Sequence, residues 1–180
     1  MRISISGVQN TGKSTLMSQL EKFPQFKTYN FIKEVVRNLL KENKIVSINR
    51  DADVKSQNKI FQSHIENLDM FSNLITDRGI LDAYVYSLYN FERQKFSKEE
   101  FTVFEDIFLS FIRKYDAIIY LPFEFEIPLN RDGVRSIDLN YIFDLEKYFI
   151  RTMRDYNIPV IYKHRNSSVE NLIRELNYLQ

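Results

Sequence analysis

Gly7-Val8-Gln9-Asn10-Thr11-Gly12-Lys13-Ser14-Thr15 holds a complete G-x-x-x-x-G-K-[ST] pattern. The strand-like Arg2-Ile3-Ser4-Ile5-Ser6 runs into it and a helical stretch, Lys13 to Phe23, leads out of it. Strand, loop and helix in that order are the setting in which this pattern wraps a phosphate chain. Gly7 and Gly12 allow backbone angles closed to other residues, so the N–H groups of Gln9, Asn10, Thr11 and Thr15 can turn toward an anion. The helix that starts at Gly12 adds the positive end of its dipole. Lys13 is expected to reach the β- and γ-phosphates of a nucleoside triphosphate, and the Ser14 hydroxyl to ligate Mg²⁺.

Composition narrows the setting. The chain has 180 residues, one domain's worth, and 44% of them are hydrophobic, enough material for a sizeable core. Twenty-five basic residues against 24 acidic ones give a net charge of +1 with no long block of one sign. A non-specific nucleic-acid surface is therefore not favoured. There is no cysteine, which removes disulfides, thiolate metal sites and cysteine chemistry, and two histidines, His64 and His164, give no basis for a His-based metal cluster. No apolar run approaches the roughly 20 residues of a membrane span. The N-terminus passes directly into the phosphate-binding loop, so no signal peptide and a cytoplasmic location are expected.

Apolar strand-like runs alternate with amphipathic helical ones, without linker or repeat. Strands are expected at Ile3 to Ser6, Thr28 to Asn30, Leu74 to Asp77, Ala117 to Leu121 and Pro159 to Tyr162. Helices are expected at Lys13 to Phe23, Phe31 to Glu42, Asp53 to Phe71, Leu81 to Asn90, Lys98 to Lys114, Asp138 to Tyr156 and Ser168 to Leu179. This alternation implies an α/β fold, a parallel sheet with helices on both faces, whose ligands sit at the carboxyl ends of the strands. In the helix from Lys98, the aromatics Phe101, Phe104, Phe108 and Phe111 recur at helical spacing and read as core.

Several other segments fall at that edge. Leu74-Ile75 runs into Asp77, where a carboxylate can hold Mg²⁺ through water, with Arg78 facing phosphate oxygens and Gly79 permitting a sharp turn. The competing reading makes Asp77 the N-cap of the next helix. Asp82 fits a first helical turn, where negative charge is favourable. Gln57, Phe61, Gln62 and His64 share a helix able to line a pocket, although Phe61 reads first as core; Tyr84 and Tyr86 carry the same ambiguity. Ser167-x-x-Glu170 reads as a capping box.

The order of these segments resembles the P-loop small-molecule kinases, and within them the ribosylnicotinamide kinase-like group of AAA-type domains. It is carried by the phosphate-binding loop, Phe31-Ile32-Lys33-Glu34-Val35-Val36-Arg37, Thr76-Asp77-Arg78-Gly79-Ile80-Leu81-Asp82, Lys114 through Pro122, and Arg131-Asp132-Gly133-Val134-Arg135-Ser136. The resemblance implies a nucleotide-kinase P-loop fold: five parallel strands in a single domain over residues 1–180, with a lid at about 122–138. It implies that Glu34 lies near the acceptor, to take a hydroxyl proton or bind a sugar; an ordinary Glu34–Arg37 surface pair is the alternative, and the base is open between Glu34 and Asp77. It further implies that Arg131 and Arg135 neutralise the transferring phosphoryl group, and that Arg165 or Asn166 borders the adenine. The expected activity is transfer of the γ-phosphoryl group of ATP, with Mg²⁺, to a small nucleoside or nucleotide, either ribosylnicotinamide or a deoxynucleoside or deoxynucleotide. A kinase acting on a modified base in DNA and a nucleotide-hydrolysing switch are the rivals.

Overall fold

The sheet is built outward from the strand that carries the phosphate-binding loop. The computed structural model describes residues 1–124 and 138–179. Strands β1 (Arg2–Ser6), β2 (Asn30–Ile32), β3 (Leu74–Asp77), β4 (Ala117–Tyr120) and β5 (Ile161–Tyr162) form one parallel sheet in the order β2-β3-β1-β4-β5. Central β1 pairs with β3 through Ile5↔Asp77 and with β4 through Ser6↔Tyr120. That register brings Ser6, Asp77 and Tyr120 to one edge, at the carboxyl ends of the strands.

Among the described residues, seven α-helices cover the two faces: α1 (Lys13–Leu20), α2 (Val35–Lys41), α3 (Val54–Met70), α4 (Ile80–Phe91), α5 (Lys98–Phe111), α6 (Leu139–Asp155) and α7 (Val169–Asn177). Alternate strand residues point to opposite faces. Ile3, Ile5, Ile75 and Ile119 pack with Leu16 and Leu20 of α1 and with Leu172 and Leu176 of α7. On the other face, Leu74, Ile118 and Tyr120 meet the larger cluster, which takes in Phe61, Tyr84, Phe104, Phe108 and Phe149. Tyr84 stacks on Phe108 at 4.1 Å and Phe61 on Phe104 at 5.3 Å. Each such ring removed from water stabilises the fold by about 1.5–3 kcal/mol.

Element boundaries differ from the sequence expectations where local chemistry overrides apolar pattern. Helix α1 stops at Leu20 rather than Phe23, because Phe23 is extended (φ −83°, ψ 132°) ahead of Pro24, which opens a short 3₁₀ turn, Pro24–Phe26. Strand β2 lies two residues later than expected, and α2 starts at Val35 rather than Phe31. Phe31 and Ile32 pair with Ile75 and Thr76, and Glu34 (φ 55°) turns the chain into the helix. Helix α5 changes to a 3₁₀ turn at Ile112–Lys114. The cap of α7 is Ser168, whose hydroxyl accepts from Asn171 N–H at 3.1 Å, instead of Ser167. Arg131, Gly133 and Arg135, with most of the expected lid, lie outside the described residues.

Candidate active site

Gly7 has φ +137°, and a Cβ there would come within 2.5 Å of the Leu121 carbonyl oxygen. Only glycine lets the loop leave β1 so close to the end of β4. The Lys13 ammonium lies back along the loop, donating to the Val8 carbonyl and, at 3.1 Å, to Thr11 Oγ1. Ser14 Oγ donates to Asp77 Oδ2 at 3.1 Å. That bond joins the start of α1 to the end of β3, and α4 is capped at Gly79, so the N-cap reading of Asp77 does not hold. Hydroxyl and carboxylate together are hard oxygen donors of the kind that Mg²⁺ takes, so the pair suits that ion.

Arg78 sits in a left-handed conformation (φ 73°) that directs its side chain inward. Its guanidinium donates to Gly7 O at 3.1 Å and to Asp82 Oδ1 at 2.9 Å, and lies 5.4 Å from the centre of the Tyr86 ring. Burial works against the Arg78 charge, yet Tyr86, Asp82 and Asp77 hold its pKa above the usual guanidinium value. The role of Asp82 exceeds the first-turn charge expected from sequence. Its carboxylate, 3% exposed, accepts from Arg78 and from the backbone N–H groups of Gly7 and Gly79, each at 3.3 Å. Burial pushes the Asp82 carboxyl up, against the pull of Arg78 and Lys13. The cluster thus fixes the first glycine of the phosphate-binding loop to the first turn of α4. The pair is four residues apart in sequence, but Arg78 precedes α4 and reaches Asp82 from the left-handed turn before Gly79.

Gly79 is needed for close approach and not for a left-handed turn. Its backbone is extended (φ −155°), and a Cβ would meet Ser4 Oγ and Tyr115 Oη at 2.6 Å each.

A cavity of about 270 Å³ opens at this edge. Its lining includes Gln9 through Thr15 on one side and Glu34, Arg37, Asp77, Arg78 and Asp82 on the others. Arg37 Nη1 donates to Glu34 Oε1 at 2.8 Å, the pair expected from their spacing. From α3, Gln57, Ile60 and His64 face the cavity, whereas Phe61 is core and Gln62 is exposed. Gln57 Nε2 donates to Ala83 O at 2.8 Å. Tyr86 resolves toward the cavity, its hydroxyl donating to Gln9 Oε1 at 2.9 Å, while Tyr84 belongs to the core. The Tyr86–Gln9 link spans 77 residues of sequence and left no local signal. Arg165 is not part of the cavity lining; its N–H donates to Glu124 Oε1 at 3.2 Å.

Comparison with known proteins gives the arrangement a context. A family model described as an AAA domain matches residues 2–170. No curated protein sequence matches the chain. Among solved structures, deoxyadenosine kinase from M. mycoides with bound dCTP superposes with a TM-score of 0.70 at 20% identity, over 99% of this chain and 100% of that one. The NadR protein in complex with NR gives a TM-score of 0.65 at 16% identity, over 92% of this chain and 45% of that one. At these identities the likeness is one of fold. It agrees with the five-stranded nucleotide-kinase architecture.

Proposed function

The chain belongs to the AAA domain family, and from that premise we propose that it is an ATP- and Mg²⁺-dependent kinase that transfers the γ-phosphoryl group to a small nucleoside or nucleotide. The observation that carries this reading is a cavity whose lining takes in Lys13, Ser14 and Asp77 together with Glu34, Arg37 and Gln57. Arg37 from α2 and Gln57 from α3 extend the wall beyond the phosphate-binding loop, and a loop that only hydrolysed its nucleotide would not need that wall.

On this reading Lys13 and the loop amides of Gly7 to Thr15 hold the triphosphate. Ser14 and Asp77 hold Mg²⁺, which when bound offsets charge on the phosphate oxygens. Glu34 receives the proton of the acceptor hydroxyl. The hydroxyl oxygen then bonds to the γ-phosphorus as the bond to the β–γ bridging oxygen breaks, and ADP leaves. Glu34 is given the base role because Asp77, bonded to Ser14, is assigned with it to Mg²⁺. Arg78, tied to Gly7 and Asp82, adds fixed positive charge at the phosphate end. We assign residues 122–138 as a lid within one domain of 180 residues. Arg131 and Arg135 would bring guanidinium donors to the transferring group and Arg165 would border the adenine, assignments that rest on sequence pattern. A cytoplasmic enzyme fits these substrates.

The test is incubation of the purified protein with Mg-ATP and a panel of nucleosides, nucleotides and ribosylnicotinamide, with products read by mass spectrometry. A phosphorylated acceptor is expected, and none from Lys13→Ala. Release of ADP without product from any acceptor would overturn the kinase assignment.

A further inference from the structure

Building on the kinase reading above, we propose that Asn90 is a positioning residue, which sets, through the Asn49 carbonyl, the stretch of cavity wall that receives the acceptor. Residues 42–53 join α2 to α3, and Ile48 and Asn49 of that stretch line the cavity. In the chain they stand between Arg37 of α2 and Gln57 of α3, so they continue the wall that extends beyond the phosphate-binding loop. Asn90, on α4, is not part of the lining.

Among the described residues with positive φ that are not glycine, Asn10, Glu34, Asn49 and Arg78 line the cavity, and the others lie just past the ends of α2, α4 and α6, where such a turn commonly stops a helix. Asn10, Glu34 and Arg78 belong to the phosphate-binding loop and the turns after β2 and β3. Asn49 (φ 58°) has neither setting. A left-handed residue of this kind persists only where its surroundings hold it.

Asn90 supplies that hold. Its Nδ2 donates to Asn49 O at 2.9 Å, across 41 residues of sequence. A carbonyl only accepts, so the orientation of the amide is fixed. The same oxygen takes Ala52 N–H at 3.4 Å, a longer bond within the 3₁₀ turn Asn49–Asp51. Asn90 is 0% exposed, and its Oδ1 has no hydrogen-bond partner among the described residues. A buried amide with an orphaned acceptor costs stability, and an apolar side chain would fill the same place without that cost. The bond to the wall is what the amide adds.

Other bonds brace this stretch from outside. Lys95 Nζ donates to Arg50 O and, at 3.5 Å, to Asp51 Oδ1, while Arg50 Nη2 donates to Asp138 Oδ2 at 2.6 Å. These groups are exposed, so water replaces such bonds at little cost. Asn90 is out of water's reach, and its truncation leaves the Asn49 carbonyl without that donor.

The experiment measures initial rates of the full chain with Mg-ATP and deoxyadenosine, deoxyguanosine, deoxycytidine, thymidine or ribosylnicotinamide, then compares variants on the best of these acceptors. Asn90→Ala, and Asn90→Asp, which keeps the shape and loses the donor, should each raise the acceptor KM by about 10- to 100-fold. The KM for ATP should stay unchanged, a split that general damage to the fold would not produce. Lys95→Met, which removes the exposed brace, should change the acceptor KM by less than about threefold. Melting curves establish which variants are folded, and either folded Asn90 variant decides. An unchanged acceptor KM, a parallel rise in both KM values, or an equal effect from Lys95→Met overturns the inference and leaves the kinase standing. Failure of both Asn90 variants to fold makes Asn90 a determinant of the fold and overturns it as well. Failure of every acceptor with the wild-type chain removes both readings.

Discussion

Replacing His64 by asparagine should remove a specific part of the protein's sensitivity to acid. In the folded state the His64 pKa is pushed down from 6.5 to about 4, first by burial and then by the charge of Arg78. The unfolded chain takes up the proton below about 6.5, whereas the folded one stays neutral until much lower. The unfolded state therefore binds more protons in the window between these values, and stability falls as pH falls through it. Integrated from pH 7 to pH 5, the two pKa values give a loss of about 2 kcal/mol. For a chain of this size that corresponds to a drop in Tm of about 4–8 °C. Thermal melts at pH 7, 6 and 5, in buffer without nucleotide or metal, measure it for both proteins. Asp82 and Glu146, whose carboxyls burial pushes up, are common to both and cancel in the difference. The wild-type Tm should fall by about 4–8 °C more than that of His64→Asn. Parallel curves would refute the burial of a neutral imidazole.

Asp82→Asn removes one partner of a buried ion pair and should destabilise by about 3 kcal/mol, or roughly 6–12 °C in Tm. The exposed pair of Lys114 with Asp69 at 3.2 Å supplies the contrast: Asp69→Asn should cost less than about 1 kcal/mol. Equal shifts in urea denaturation would contradict the special place given to Asp82. Gly79→Ala forces a methyl group against Ser4 and Tyr115 and should cost about 1–3 kcal/mol, so an unchanged denaturation midpoint would show that the sheet yields there.

Legibility in the sequence followed the range over which each feature is encoded. The phosphate-binding loop and its flanks are contiguous, and β3 was bounded correctly from Leu74 to Asp77 because a short apolar run ended in a charge. The sequence reading places β2 two residues early and gives Phe31-Ile32 to the following helix, since Phe31-Ile32 followed by Val35-Val36 fits either period. Only pairing with β3 settles it. Asp82 was undervalued because burial of a first-turn carboxylate depends on Gly7, a residue 75 positions away. The bond from Tyr86 to Gln9 and the isolation of His64 are likewise properties of packing, which no window of neighbouring residues contains.

The fastening of Lys13 to Val8 and Thr11 has a kinetic and entropic side. A lysine free to roam carries about 2 kcal/mol of rotamer entropy. Here that freedom is surrendered when the chain folds, because the ammonium is bound by the same loop that it serves. An incoming phosphate then exchanges places with a carbonyl and a hydroxyl as acceptor for a charge already in position. Affinity is set by the difference between those acceptors, and capture of the triphosphate becomes a substitution at a preorganised cation instead of the ordering of a flexible arm.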